Sequence, residues 1–113
     1  MRPEINIRAV LSDADNTLVG NDSREMPSVR VTSALRRAGQ YVPTGLMTAR
    51  QPQKAMPLIR HLEMTGLSAF SNGAQIYDAK KEQMVLERII DPLAVITIAT
   101  ELKKLGIPPS TVL

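Results

Sequence analysis

The sequence predicts an α/β fold: a three-layer, Rossmann-like parallel sheet, incomplete, followed by the start of an α+β segment. Three observations carry this. From Ile5 to Ser71, short apolar runs alternate with helical patterns, the rhythm of βαβ units with right-handed crossovers. After Asn72-Gly73 the rhythm breaks into a hairpin pattern. The balance of 43% apolar and 22% charged residues over 113 positions is that of one globular domain or part of one.

The elements follow in order. INIRAVL, Ile5 to Leu11, is β-branched and apolar, hence a strand, and SDADNT is the polar loop after it. In SVRVTSALRRAG, Val31, Ala34, Leu35 and Ala38 make an apolar stripe at helical spacing, with Ser28 as N-cap and Gly39 as C′ stop. Tyr41 to Met47 is a second strand, with Pro43 near its start because proline has no ladder N–H. Gln51 to Met64 is a second helix, with Pro52 in its first turn, Pro57 kinking it or marking a late start, and Gly66 closing it. Ser68 to Ser71 is a third strand. AQIYD, the charged turn AKKEQ and MVLERII form a hairpin. Asp91-Pro92 starts a last helix, N-cap then first-turn proline, with Val95, Ile98 and Leu102 as its stripe. The tail GIPPSTVL reads as a loop entering another strand.

Composition removes several classes of function. There is no cysteine, so disulfides, thiolate catalysis and Cys-type zinc sites are excluded. His61 is the only histidine, which argues against a Ser-His-Asp triad; on the second helix it reads as solvent-facing. The three aromatics, Tyr41, Phe70 and Tyr77, are too few for a nucleic-acid stacking platform. No run of eighteen apolar residues could span a membrane, and MRPEIN lacks the core of a signal peptide. The expectation is a soluble, cytoplasmic domain with an aliphatic core, filled in part by Met47, Met56, Met64 and Met84. Net charge is +3, and the excess lies in residues 1–60, with nine Lys/Arg against five Asp/Glu. Solvated helix faces are the reading for Arg36, Arg37 and Arg60; attraction for small anionic substrates is the sharper reading, and charge alone does not decide between them.

The chemistry gathers at strand ends. Asp13 and Asp15 follow the first strand, and residues two apart in extended chain point the same way. Both carboxylates would then face one cleft, where open α/β sheets bind ligands. Such a pair needs a cation or a shared proton, and an oxygen-rich site suits Mg²⁺. A carboxylate can also attack phosphorus to give an aspartyl-phosphate. Alone, Asp-x-Asp-Asn is no more than a polar loop with Asx turns. The second strand, however, also ends in a polar residue, Thr48, followed by Ala49-Arg50 and a helix start that favours an anion. The third ends in Asn72-Gly73, which reads equally as a tight hairpin turn. Arg50 by itself is equally a surface charge at a helix start.

Taken together, Asp13-Ala14-Asp15-Asn16-Thr17-Leu18, Thr48-Ala49-Arg50 and Asn72-Gly73-Ala74, in this order, resemble the haloacid dehalogenase superfamily of phosphohydrolases. The nearest likeness is its Cof-type subfamily, with a class IIB cap inserted after the third core strand. The likeness runs from Ile7 to about Val112. It implies that Asp13 is the nucleophile and a Mg²⁺ ligand. Asp15 would be the general acid/base, with its main-chain carbonyl on the metal. Asn16, Thr17, Thr48 and Ala49 would hold the phosphoryl group, and Arg50, Asn72 and Gly73 would lie toward the substrate. Phosphoryl transfer asks mainly for alignment and charge neutralisation, so the residue types suit the role.

Two residues depart from the pattern: Asn16 and Ala49 stand where the family has glycine, and asparagine tolerates the left-handed backbone that glycine would supply. The family's Lys and second acidic pair lie after the cap. The chain therefore reads as the N-terminal portion of such an enzyme: residues 1–75 the first half of the core, residues 76–113 the start of the cap. On that reading it is weakly active or inactive alone, and a small phosphorylated metabolite, such as a sugar phosphate, is the substrate class. Its first strand becomes an exposed edge that invites self-association. The alternative is a non-catalytic phospho-ligand binding or assembly module.

Overall fold

The computed structural model describes residues 4–22 and 24–108. Strand β1 (Val10–Ser12) leads through a long loop to α1 (Val29–Ala38); β2 (Thr44–Leu46), α2 (Pro52–His61) and β3 (Leu67–Phe70) follow. A single 3₁₀ turn, Ser71–Gly73, feeds the hairpin β4 (Gln75–Asp78) and β5 (Gln83–Glu87), and α3 (Pro92–Lys104) comes last. None of these helices is long and apolar enough to cross a membrane. The tail from residue 109, read as entering a further strand, lies outside the described residues.

β1 and β2 pair in parallel, Val10 opposite Thr44 and Ser12 opposite Leu46. The first strand is shorter than predicted. Pro43 donates no N–H, so the β2 ladder starts at Thr44, and Ile5 and Ile7, which have no partner strand among the described residues, stay exposed. β3, β4 and β5 form an antiparallel set, with an irregularity between Ile76 and Tyr77. β2 meets β3 through one parallel bridge, Met47 to Ala69. The contact is irregular because the Leu46 N–H donates to the Ser68 hydroxyl, at 2.9 Å, in place of a ladder carbonyl. It is also very close: a Cβ on Gly45 would collide with the Leu67 carbonyl.

Local chemistry sets the helix ends. The Ser28 hydroxyl accepts the Val31 N–H at 3.2 Å, and the Asp91 carboxylate accepts the Leu93 N–H at 3.0 Å, so both predicted N-caps form. Gly39 ends α1 as the C-cap in right-handed conformation, not as a left-handed C′ residue. α2 stops three residues earlier than the sequence suggested. Glu63, at φ 52°, takes the left-handed C′ position; its N–H reaches the Arg60 carbonyl, and the Met64 N–H reaches that of Ile59. This is a Schellman closure built without glycine. Gly66 serves another purpose: a Cβ there would lie 2.9 Å from the Thr44 carbonyl, so it permits β2 and β3 to approach. Pro57 neither breaks α2 nor delays its start. It and Gln53, whose carbonyl it cannot serve, lie on the exposed side.

The core comprises Ala14, Val19, Leu46, Ala55, Leu58, Ile59, Leu62, Met64 and Phe70. α2 supplies much of it. In α1 the buried residue is Thr32, not a member of the predicted stripe; Ala34 of that stripe is exposed. Thr32 Oγ1 lies 3.2 Å from His61 Nε2, and Arg36 donates to the His61 carbonyl at 2.8 Å, which joins α1 to α2. His61 is therefore half-buried between helices and not a solvent-facing side chain.

The registers put Leu11, Met47, Leu67 and Ala69 on one face of the sheet, opposite the face that holds Leu46, Ser68 and Phe70. The second face is buried. The first is not: Leu11, Met47 and Leu67 are 52%, 54% and 52% exposed. Met47, expected as a core filler, is thus a surface residue. α3 has no buried residue either; Val95 and Leu102 are half-covered and Ile98 is exposed.

Candidate active site

At the C-terminal ends of β1, β2 and β3 lies a cleft of about 460 Å³, lined by Asp13, Met47, Thr48, Ala49, Ala69, Asn72 and Gly73. Five of the residues singled out in the sequence therefore line one cavity. Met47, expected in the core, and Ala69 were not expected at the site. Their signal was positional: Met47 precedes Thr48, and Ala69 is its bridge partner on the next strand.

The main chain locks this edge. The Thr48 N–H donates to the Ala69 carbonyl at 3.0 Å, and the Thr48 carbonyl accepts from Asn72 at 3.1 Å. Ser71, Asn72 and Gly73 have φ of 51°, 56° and 94°, so the chain reverses in three consecutive left-handed residues. Asn72-Gly73 is therefore both a turn into an antiparallel strand and a wall of the cleft. Asp13 is exposed, and its Oδ1 accepts the Ala14 N–H at 2.8 Å. Thr48 is buried; its Oγ1 accepts the Arg50 N–H at 3.0 Å, which leaves the hydroxyl hydrogen available to a ligand oxygen.

Asp15 is not among the residues that line this cleft. Extended chain would have aimed it beside Asp13, but the turn begins at Ala14, whose carbonyl accepts the N–H groups of Thr17, Leu18 and Val19. Asn16 takes the left-handed conformation within it, at φ 59°. Asp15 points instead to Arg50: Nη2 donates to Oδ1 at 2.7 Å and Nε to Oδ2 at 3.1 Å. These hydrogen bonds hold the Asp15 carboxyl below the usual carboxylate range, against the opposing effect of burial. Arg50 is shifted the opposite way, upward, by the same bonds. Arg50, expected to lie toward the substrate, is buried; Asn16 and Thr17 are exposed and outside the cleft lining.

A cleft that offers one exposed carboxylate, with the Thr48 hydroxyl and the Asn72 amide beside it in the lining, fits a hard cation in part. Asp13 offers a side-chain ligand, but the described residues contain no group of three His, Cys, Asp or Glu placed to hold a metal. Magnesium requires less than that, because it typically keeps waters and substrate phosphate in its shell.

No curated protein matches the sequence. Among solved structures, a haloacid dehalogenase-like hydrolase from Bacteroides thetaiotaomicron superposes with a TM-score of 0.77 at 22% identity, over 88% of this chain and 38% of that one. A haloacid dehalogenase-like hydrolase from B. subtilis gives 0.71 at 23% identity, over 88% and 34%. A structure described as a subclass IIB sugar phosphatase gives 0.60 at 20% identity, over 88% and 38%. The chain thus spans well under half the length of these proteins, and shares their fold over that part. Residues 10–112 match the family of haloacid dehalogenase-like hydrolases, and the chain belongs to that family.

Proposed function

We propose that this chain carries the phosphoryl-binding half of a Mg²⁺-dependent phosphohydrolase that acts on small phosphorylated metabolites, sugar phosphates among them. The observation that carries the reading is the shared cleft: Asp13 from the end of β1 and Thr48 from the end of β2 line one cavity, with Asn72 and Gly73 at its side. Asp13, exposed and lining the cleft, is the nucleophile that takes the phosphoryl group as an aspartyl-phosphate. Thr48 donates its free hydroxyl hydrogen to a phosphoryl oxygen. Asp13 and the Asp15 main-chain carbonyl would hold Mg²⁺. When bound, the metal neutralises charge on the phosphoryl oxygens.

Asp15 as found is ready for only half of its role. A carboxylate held ionised by Arg50 can accept a proton from water, but donating one to a leaving alcohol requires it to leave Arg50 first. Residues 1–75 are read as the first half of the core and residues 76–113 as the start of a cap; the exposed α3 and the length of the related structures support this division.

The test uses the chain as it is. Beryllofluoride with Mg²⁺ mimics an acyl phosphate on aspartate. Its addition is expected to move the amide resonances of Ala14 and Thr48 in wild type and not in Asp13→Asn. Identical shifts in the variant reject Asp13 as the acceptor. A second reading, an assembly module without catalysis, is favoured by the exposed apolar sheet face and by β1, which among the described residues pairs on one side only.

A further inference from the structure

We propose that Arg50 is the positioning residue of this site: it brackets Asp15 to the end of β2 and ties that end to β3, without touching substrate. The bracket has three limbs. The guanidinium fork grips Asp15 through Nη2 at 2.7 Å and Nε at 3.1 Å. Its Nη1 donates to the Lys54 carbonyl in the first turn of α2, at 3.2 Å. The main chain does the rest: the Arg50 N–H bonds the Thr48 hydroxyl at 3.0 Å, and the Arg50 carbonyl accepts the Ser71 N–H at 2.9 Å. One residue therefore connects the loop after β1, the end of β2, the start of α2 and the turn after β3.

A substrate-binding arginine would present its fork to the cleft. This one does not line the cleft, and its side chain is only 6% exposed. Its planar, bidentate geometry matches a carboxylate in a way lysine cannot reproduce. Its N–H also takes one lone pair of the Thr48 hydroxyl, so Arg50 restricts where that hydroxyl can donate.

The test is spectroscopic and needs no turnover, so it fails separately from the phosphohydrolase reading. In the ¹⁵N-labelled chain, the Arg50 Nε–H resonance is expected to be protected from exchange. Asp15→Asn should abolish that protection, while Asp13→Asn should leave it unchanged. Should Asp15→Asn not fold, Asp15→Glu, which displaces the carboxylate by one methylene, gives the same readout. Arg50→Lys should shift the Thr48 and Ala14 amides as far as Arg50→Gln does, because lysine restores charge but not the fork. An Nε–H resonance indifferent to Asp15→Asn overturns the bracket. So does a lysine variant whose amides coincide with wild type. Inorganic phosphate with Mg²⁺ should leave the Nε–H resonance in place; its movement along a phosphate titration would make Arg50 a ligand-contacting residue and reject the proposal.

Discussion

Arg50 and Asp15 are 35 residues apart in sequence, yet the guanidinium of one lies 2.7 Å from the carboxylate of the other. The arginine is buried and the aspartate is 40% exposed, so the pair sits at the boundary between core and solvent.

Acid should loosen this pair. The Asp15 carboxyl is held below its ordinary value by Arg50, so its contribution to stability is fully present above the unfolded-state value, about 3.9. It is lost as pH falls through the lower folded-state value. The difference in urea midpoint between wild type and Arg50→Gln should therefore be constant from about pH 5 to 7 and narrow below about pH 4. A gap that widens in acid contradicts the assignment.

Gly45→Ala should be poorly tolerated. The new methyl would meet the Leu67 carbonyl oxygen, with the carbonyl carbon 2.9 Å away, and backbone cannot swing aside as a flexible side chain can. Overpacking of this kind costs about 1–3 kcal/mol. Thermal unfolding of the variant should show a clearly lowered midpoint, and amide shifts should concentrate at Leu46, Met47 and Leu67.

Thr44→Val should stabilise the fold. Thr44 is fully buried on β2, and among the described residues its hydroxyl has no hydrogen-bond partner. An unpaired buried hydroxyl costs about 1–3 kcal/mol, and valine keeps the shape without it. An increase of about 1 kcal/mol in urea unfolding is expected; a decrease would mean that the hydroxyl is bonded in solution.

The bare sheet face should be sticky. Leu11, Met47 and Leu67 share it, beside a β1 edge that has no partner strand among the described residues. Sedimentation velocity should show mass rising with concentration for the isolated chain, and Met47→Lys should suppress that rise. A concentration-independent monomer would remove the assembly reading.

Much of the fold was legible because its signals are local. Ser28 and Asp91 cap their helices because an oxygen three or two residues ahead of an N–H suffices. Asn16 accepts a left-handed turn because its side chain permits one. Glu63 gave no such signal: nothing in its chemistry announces a C′ residue, and the place falls to it because the core residues Leu62 and Met64 fix the chain on either side. Met47 looked like core because apolarity in sequence does not say whether anything covers it.

The order of elements, the helix starts and the set Asp13, Thr48, Asn72 and Gly73 at strand ends were determined by the sequence alone, since each depends on residues a few positions apart or on the alternation of strand and helix. The tertiary structure decided that Asp15 turns to Arg50 while Asp13 lines the cleft, that His61 joins two helices, and that one sheet face stays open. Those outcomes depend on which distant groups meet in space. A carboxylate takes its partner from whatever charge the fold brings within about 3 Å, the reach of a hydrogen bond, and local sequence does not encode that distance.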